Sequence, residues 1–180
     1  MLRFLAVIGL LGILAAIGAA IYFFGGFYSV AGTQEDPEFV KSMLVRVRQA
    51  SISRHASTVE APPATFVDAA TVQMGARAFS ERGCVNCHGA PGVLWQKFSE
   101  GLHPDPPDLK EIVNDRSPRE LFWVVKNGIN MTGMPSFGGM EIGVPDEEIW
   151  KIVAFVKKLP TISDADYKAW TEGAASPPPP

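Results

Sequence analysis

The stretch Cys84-Val85-Asn86-Cys87-His88 contains both cysteines of this 180-residue chain. The two thiols are three positions apart, and a histidine follows the second thiol directly. A C-x-x-C-H pattern is typical of covalent haem attachment, in which two thiols bond to the porphyrin and the imidazole binds the iron. The sequence therefore predicts one covalently bound haem c, attached through Cys84 and Cys87, with His88 as an iron ligand.

Two other uses of paired cysteines fit the neighbouring sequence poorly. A redox dithiol follows a strand in a βαβ unit, whereas residues 69–82 before the motif have a helical pattern between Asp68 and Gly83. A zinc site needs a second pair of ligands, and the other histidines, His55 and His103, have no ligand pattern beside them. We therefore favour covalent haem.

A loop rich in glycine and proline, residues 128–145, offers a second iron ligand. It contains Met131, Met134 and Met140, and Pro135 restricts the backbone directly after Met134. A thioether is a soft, neutral ligand that favours ferrous iron and raises the haem potential. The sequence ranks Met134 first, Met131 second and Met140 third, with filling of a core gap as the alternative role.

Helical patterns on both sides of this loop predict an all-α domain. Ser117-Pro118-Arg119-Glu120 is a capping box that begins a helix ending at Gly128. Asp146 is the predicted cap of a last helix, which ends before Pro160. No stretch of the sequence has the pattern of a β-rich fold.

Over residues 68–160 the chain resembles the class I c-type cytochromes. The resemblance rests on the haem motif, the preceding helix with Gly75, Ala76 and Phe79, and the segments Pro106-Pro107-Asp108-Leu109, Thr132-Gly133-Met134-Pro135-Ser136-Phe137 and 147–156. It implies helices wrapped around one covalent haem and one-electron transfer. It also implies that the family's methionine ligand corresponds to Met134.

The same resemblance implies further roles. The carbonyl of Pro107 is expected to accept a hydrogen bond from the imidazole of His88, and Leu109 is expected to pack on the haem. The first and last helices of the domain are expected to cross with Gly75 against Trp150 or Val153.

The N-terminal region has the composition of a membrane anchor. No charged residue lies between Arg3 and Glu35, and residues 4–24 span about 30 Å as a helix, which matches a bilayer core. Apolar residues continue past a possible signal-peptide cleavage site, so we favour an uncleaved single-pass anchor. The flanking charges predict a cytoplasmic N-terminus and a periplasmic haem domain in a bacterial inner membrane.

Residues 31–67 are predicted to contain a short amphipathic helix and a proline-containing linker. Four basic residues, Lys41, Arg46, Arg48 and Arg54, have no acid among them. Contact with lipid headgroups and docking to a partner subunit are equally weighted explanations. The predicted divisions are the anchor 1–30, the helix and linker 31–67, the cytochrome domain 68–160 and an extended Pro-rich tail 161–180.

Charge and cofactor chemistry reduce the number of functions that fit the sequence. A net charge of −3 argues against nucleic-acid binding. A haem with both axial positions filled exchanges electrons without an open site for substrate, so the chain is not expected to be catalytic alone. The sequence predicts an electron-transfer subunit of a respiratory membrane complex, a dehydrogenase or an oxidase, with membrane lipid and redox proteins as partners. A tethered shuttle between complexes is the alternative, and a sensor or enzyme with an open iron site is less favoured.

Overall fold

The computed structural model describes residues 1–139 and 143–172. Within these ranges the regular structure is helical, and the only β feature is an isolated bridge between Ala90 and Val93. The chain divides into two compact units, residues 1–35 and 36–180. The prediction of an all-α fold is confirmed.

The first unit contains one helix, α1 (Leu2–Phe24), in which no residue is buried. Its 23 residues are long and apolar enough to cross a membrane. A cleavable signal sequence would have the same length and composition. The retained anchor and its orientation therefore stay predictions.

The second unit contains seven helices among its described residues. They are α2 (Glu38–Ala56), α3 (Ala69–Glu81), α4 (Cys84–His88), α5 (Leu109–Ile112), α6 (Pro118–Asn127), α7 (Asp146–Lys158) and α8 (Asp164–Thr171). Short 3₁₀ turns lie at Ala64–Val67, Lys97–Gly101, Val113–Asp115 and Leu159–Thr161.

The crossing of α3 and α7 forms the centre of the second unit. A Cβ added to Gly75 would collide with the backbone carbonyl of Lys151 and lie 3.0 Å from Cβ of Phe155. The crossing was predicted, and the atoms nearest to such a Cβ belong to Lys151 and Phe155, on either side of the expected Val153. Trp150 stacks on Phe122 of α6, with ring centroids 4.3 Å apart, which joins α7 to α6.

Both ends of α6 were predicted correctly, whereas the cap of α7 was not. The capping box of Ser117 and Glu120 is present, and α6 ends at Gly128 with a φ of +68°. Asp146, in contrast, does not cap α7: it is the first residue of the helix, after Pro145. Its carboxylate lies 2.7 Å from Nζ of Lys126, so it joins α7 to α6 instead.

The prediction of an extended tail from residue 161 is wrong for α8. Ser163 begins this helix by accepting a hydrogen bond from the Asp166 N–H at 3.1 Å. Tyr167 is buried and stacks on Phe155 at 5.7 Å, which gives the helix an apolar anchor on the domain. The proline-rich end of the chain, 173–180, lies outside the described residues.

The last two turns of α2 pack on α6. Ile52 and Ala56 are buried, and the Ser53 hydroxyl donates to Oε1 of Glu120 at 2.7 Å. The His55 ring stacks on Trp123 with centroids 5.4 Å apart. This histidine, which has no ligand pattern beside it in the sequence, is therefore part of a helix–helix contact.

Candidate functional site

The two cysteines and the histidine of the motif lie on a single helical turn, α4. Gly83 before this turn has a φ of +77°, and Gly89 after it has a φ of +63°. These are left-handed conformations that glycine adopts without steric cost. They allow the chain to leave α3, form one turn and reverse. Residues three apart share a face of a helix, so both thiols lie on the same side of α4.

The thiols of the motif are neutral at neutral pH. Burial raises the pKa of Cys84 to about 12 and also raises the pKa of Cys87. Thiolates, not thiols, bind zinc and carry out disulfide exchange. No cluster of three or more His, Cys, Asp or Glu side chains suited to a metal ion occurs in the described part of the chain. Thioether bonds leave both sulfurs uncharged, which suits these partly buried positions.

The imidazole of His88 is oriented by Pro106-Pro107-Asp108-Leu109, here called the proline segment. Its Nδ1 lies 3.0 Å from the carbonyl oxygen of Pro107, so a proton on Nδ1 is donated to that carbonyl. Burial lowers the pKa of His88, while the hydrogen bond to Pro107 opposes this shift. The ring is therefore neutral at pH 7 with the Nε2 lone pair available to a metal ion.

The segment after Pro107 turns directly into α5. The Asp108 carboxylate accepts a hydrogen bond from the Lys110 N–H at 2.8 Å, which caps this short helix. Leu109 is partly buried and packs against the hydrophobic core. The structure thus brings Pro107 to His88 and places Leu109 at the edge of the core.

Met134 is held in a closed turn of its own loop. Its N–H donates to Oγ1 of Thr132 at 3.1 Å, and the Thr132 hydroxyl donates to the carbonyl of Ile129 at 2.7 Å. The Ile129 N–H donates back to the Met134 carbonyl at 3.2 Å. The Met134 side chain is partly buried and packs against the core.

The other two candidate methionines are placed differently. Met131 is 88% exposed, and its φ of +59° is unusual for a residue with a side chain. Its side chain therefore points away from the core. Met140 lies outside the described residues.

The loop of Met134 is tied to the end of α6. The Phe137 N–H donates to the Val125 carbonyl at 3.2 Å, and the Ser136 hydroxyl donates to the Lys126 carbonyl at 2.9 Å. A Cβ on Gly128 would lie 2.8 Å from the Met134 carbonyl oxygen. A glycine at this position therefore lets the loop fold back onto the helix.

A comparison with protein families bears on these elements. The family model described as "Cytochrome C oxidase, cbb3-type, subunit III" matches residues 70–156, from α3 through the Met134 loop to α7. This domain is a class I c-type cytochrome. No curated protein and no solved structure matches the chain. The matched region therefore includes the helical turn α4 with Cys84, Cys87 and His88, the proline segment, and the loop of Met134.

The donor atoms of the cytochrome domain fit the haem c that its family implies. Two uncharged thiols stand on one turn with a neutral imidazole whose Nδ1 already has an acceptor in Pro107. A partly buried thioether, Met134, lies on a separate loop. These are the ligand types that c-type cytochromes use.

Sequence reasoning missed two residues that position the methionine loop. Thr132 and Gly128 were not expected to act on Met134, although both lie within six residues of it. A hydroxyl two residues before a turn residue is a recognisable local signal. The close approach of Gly128 to the Met134 carbonyl had no such signal, because it depends on how the loop returns to α6.

Proposed function

We propose that the chain is a membrane-tethered monohaem cytochrome that transfers single electrons at the periplasmic face of a bacterial inner membrane. It does so as the electron-transfer subunit of a respiratory membrane complex. The observation that carries this proposal is the hydrogen bond between Nδ1 of His88 and the Pro107 carbonyl. It leaves Nε2 for iron beside two thiols on the same turn.

Each residue of the proposed site has a separate task. Cys84 and Cys87 attach the haem covalently, and His88 binds the iron through Nε2. Met134 would supply a second protein ligand to the iron through its thioether sulfur. When bound, the haem iron supplies reversible one-electron chemistry.

Three observations support the membrane complex. Helix α1 is long and apolar enough to span a bilayer. Arg3 in the first turn of this helix and the acidic residues after the helix favour a cytoplasmic N-terminus. The matched family's description names an oxidase subunit, which supports a fixed subunit over a tethered shuttle.

Intact mass spectrometry of the denatured, purified protein tests the attachment and the anchor together. We expect one species whose mass equals the full chain plus one haem, because thioether bonds survive unfolding. A Cys84→Ser, Cys87→Ser double variant should lose the haem on denaturation. A haem-free chain would contradict covalent attachment, and a two-haem chain would contradict a monohaem protein. A chain shortened near residue 20 would contradict the retained anchor.

A native gel of membranes solubilised in mild detergent tests the assembly. The gel is stained for haem peroxidase activity, and the stained band is identified by mass spectrometry. A large band with other redox subunits is expected, and those subunits would identify the reaction. A band near the monomer that persists under gentler extraction would instead indicate a shuttle.

Carbon monoxide tests whether the iron has two protein ligands. The ferrous protein at neutral pH should bind the gas slowly and incompletely, because Met134 would hold the iron site that the gas needs. Rapid and complete binding would contradict an electron carrier with a closed site.

A further inference from the structure

The first three turns of α2 carry an exposed apolar face. Phe39 is 77% exposed and Val47 is 62% exposed, and Met43 and Leu44 between them are also exposed. The residues of α2 that pack on the cytochrome domain, Ile52 and Ala56, belong to its last two turns. The exposed apolar face is therefore separate from the contact with α6.

The direction of the apolar face changes along α2. At about 100° per residue, Ala56 points roughly opposite to Val47. The exposed apolar face of the first three turns is therefore opposite to the face that the last two turns bury. Arg46 and Arg48 lie about 100° to either side of Val47. Neither arginine has an ion pair among those found in the described residues. The result is an apolar stripe bordered on both sides by positive charge.

We propose that this stripe lies in the surface of an anionic lipid bilayer, with Phe39, Met43 and Val47 below the headgroups and Arg46 and Arg48 at the phosphates. An apolar face flanked by long basic side chains is the arrangement of an interfacial helix, because the arginines reach the phosphates while their stems stay in apolar surroundings. Phosphate oxygens would pair with the charges of Arg46 and Arg48, which no carboxylate of residues 1–139 and 143–172 pairs in a salt bridge.

The segment between α1 and α2 keeps the apolar stripe of α2 within reach of the bilayer. Residues 25–37 join the end of α1 to the start of α2, and thirteen residues reach at most about 45 Å. If α1 spans the membrane, the first turn of α2 cannot be farther than this from the bilayer. The inference therefore rests on the proposed tether, and its test must report on the tether separately.

Site-directed spin labelling of the full-length holoprotein in lipid vesicles separates the two proposals. The native thiols are occupied by haem, so a Val47→Cys variant takes the nitroxide label at one position. Leu11→Cys reports on α1, and Lys97→Cys, at a side chain that is 91% exposed, reports on a position in water. The haem absorption spectrum of each variant verifies its fold. Collision rates with oxygen and with a water-soluble nickel chelate show whether each label is in lipid or in water.

In vesicles of phosphatidylcholine and phosphatidylglycerol, the ratio of oxygen to nickel collisions at residue 47 should be several-fold higher than at residue 97. It should fall by at least half in phosphatidylcholine alone, or when Arg46→Glu and Arg48→Glu are combined. A label at Phe39→Cys should behave like the label at residue 47.

Other outcomes overturn one proposal or the other. A residue 47 label in water together with a residue 11 label in lipid would overturn this inference and leave the tether intact. A residue 11 label in water would overturn the tether. Protection of residue 47 in native membranes but not in lipid vesicles would assign the stripe to a partner subunit, and the inference would be wrong.

Discussion

At the scale of single residues, Met134 is predicted to control the haem potential. Met134→Ala should lower the midpoint potential by more than about 0.1 V, because axial ligands tune haem potentials over roughly 0.8 V. The same variant should bind carbon monoxide rapidly, since it removes the proposed second ligand of the iron. A redox titration and a carbon monoxide binding assay measure the two effects.

Met131→Ala is the matched control for this prediction. Its side chain is 88% exposed on the same loop, so its removal should leave both the potential and carbon monoxide binding near their original values. If the effects of the two variants were exchanged, Met131 would be the ligand.

Gly75 is predicted to set the distance between α3 and α7. Gly75→Ala places a methyl group against the Lys151 carbonyl and Phe155, and overpacking of this kind costs roughly 1–3 kcal/mol. Gly101→Ala is the control, because a Cβ there meets nothing within 4 Å. Equal denaturant midpoints for the two holoproteins would show that the crossing tolerates the methyl group.

The residues around the motif differ in how far sequence could predict them. The turn of Cys84, Cys87 and His88 was predictable because its geometry lies within one helical turn. Pro107 was expected only through the resemblance, since nineteen positions separate it from His88. The partners of Gly75 were not predicted, because they depend on how α7 is rotated against α3.

At the scale of elements, the capping box of α6 and the contact between α2 and α6 are both predicted to weaken in acid. The Ser117 N–H, and next the Ser53 hydroxyl, lower the pKa of Glu120 below its ordinary value of 4.5. The ionised form therefore contributes stability above about pH 4.5, and this contribution is lost as the pH falls through the folded-state pKa.

Glu120→Ala should accordingly lower the free energy of unfolding by about 1 kcal/mol at pH 7. The difference from the wild type should shrink in acid, where the wild-type carboxylate is also protonated. Urea midpoints across pH 3 to 7 measure this change, with the exposed Glu111→Ala as control. A difference that stays constant with pH would contradict a charge-dependent contact.

The beginning of α6 was more predictable than the faces that the helices bury. The capping box at Ser117 is local and was identified from four residues. Helix α8 was missed because the prolines of the tail dominated its interpretation, whereas Ser163 and Tyr167 form the helix and its anchor. The buried face of α2 was also missed, since its early apolar residues outnumber Ile52 and Ala56.

At the scale of the whole molecule, the charge of the haem domain predicts how it meets its partner. Residues 68–172 contain 15 acidic and 11 basic side chains, so attraction to a basic docking patch should weaken as salt screens it. Two small oxidants test this surface. The rate with cationic tris(phenanthroline)cobalt(III) should fall with ionic strength, and the rate with ferricyanide should rise. Rates independent of salt for both would contradict the prediction.

The attachment of α2 to α6 has a consequence for how the haem domain is oriented. Burial of Ile52 and Ala56, the Ser53–Glu120 hydrogen bond and the His55–Trp123 stacking act together at one end of α2. They remove the rotational freedom that a flexible tether would leave. Because α6 leads directly into the loop of Met134, a surface that fixes the axis of α2 also fixes the direction in which that loop faces. The cytochrome domain would then meet its partner in a restricted range of orientations.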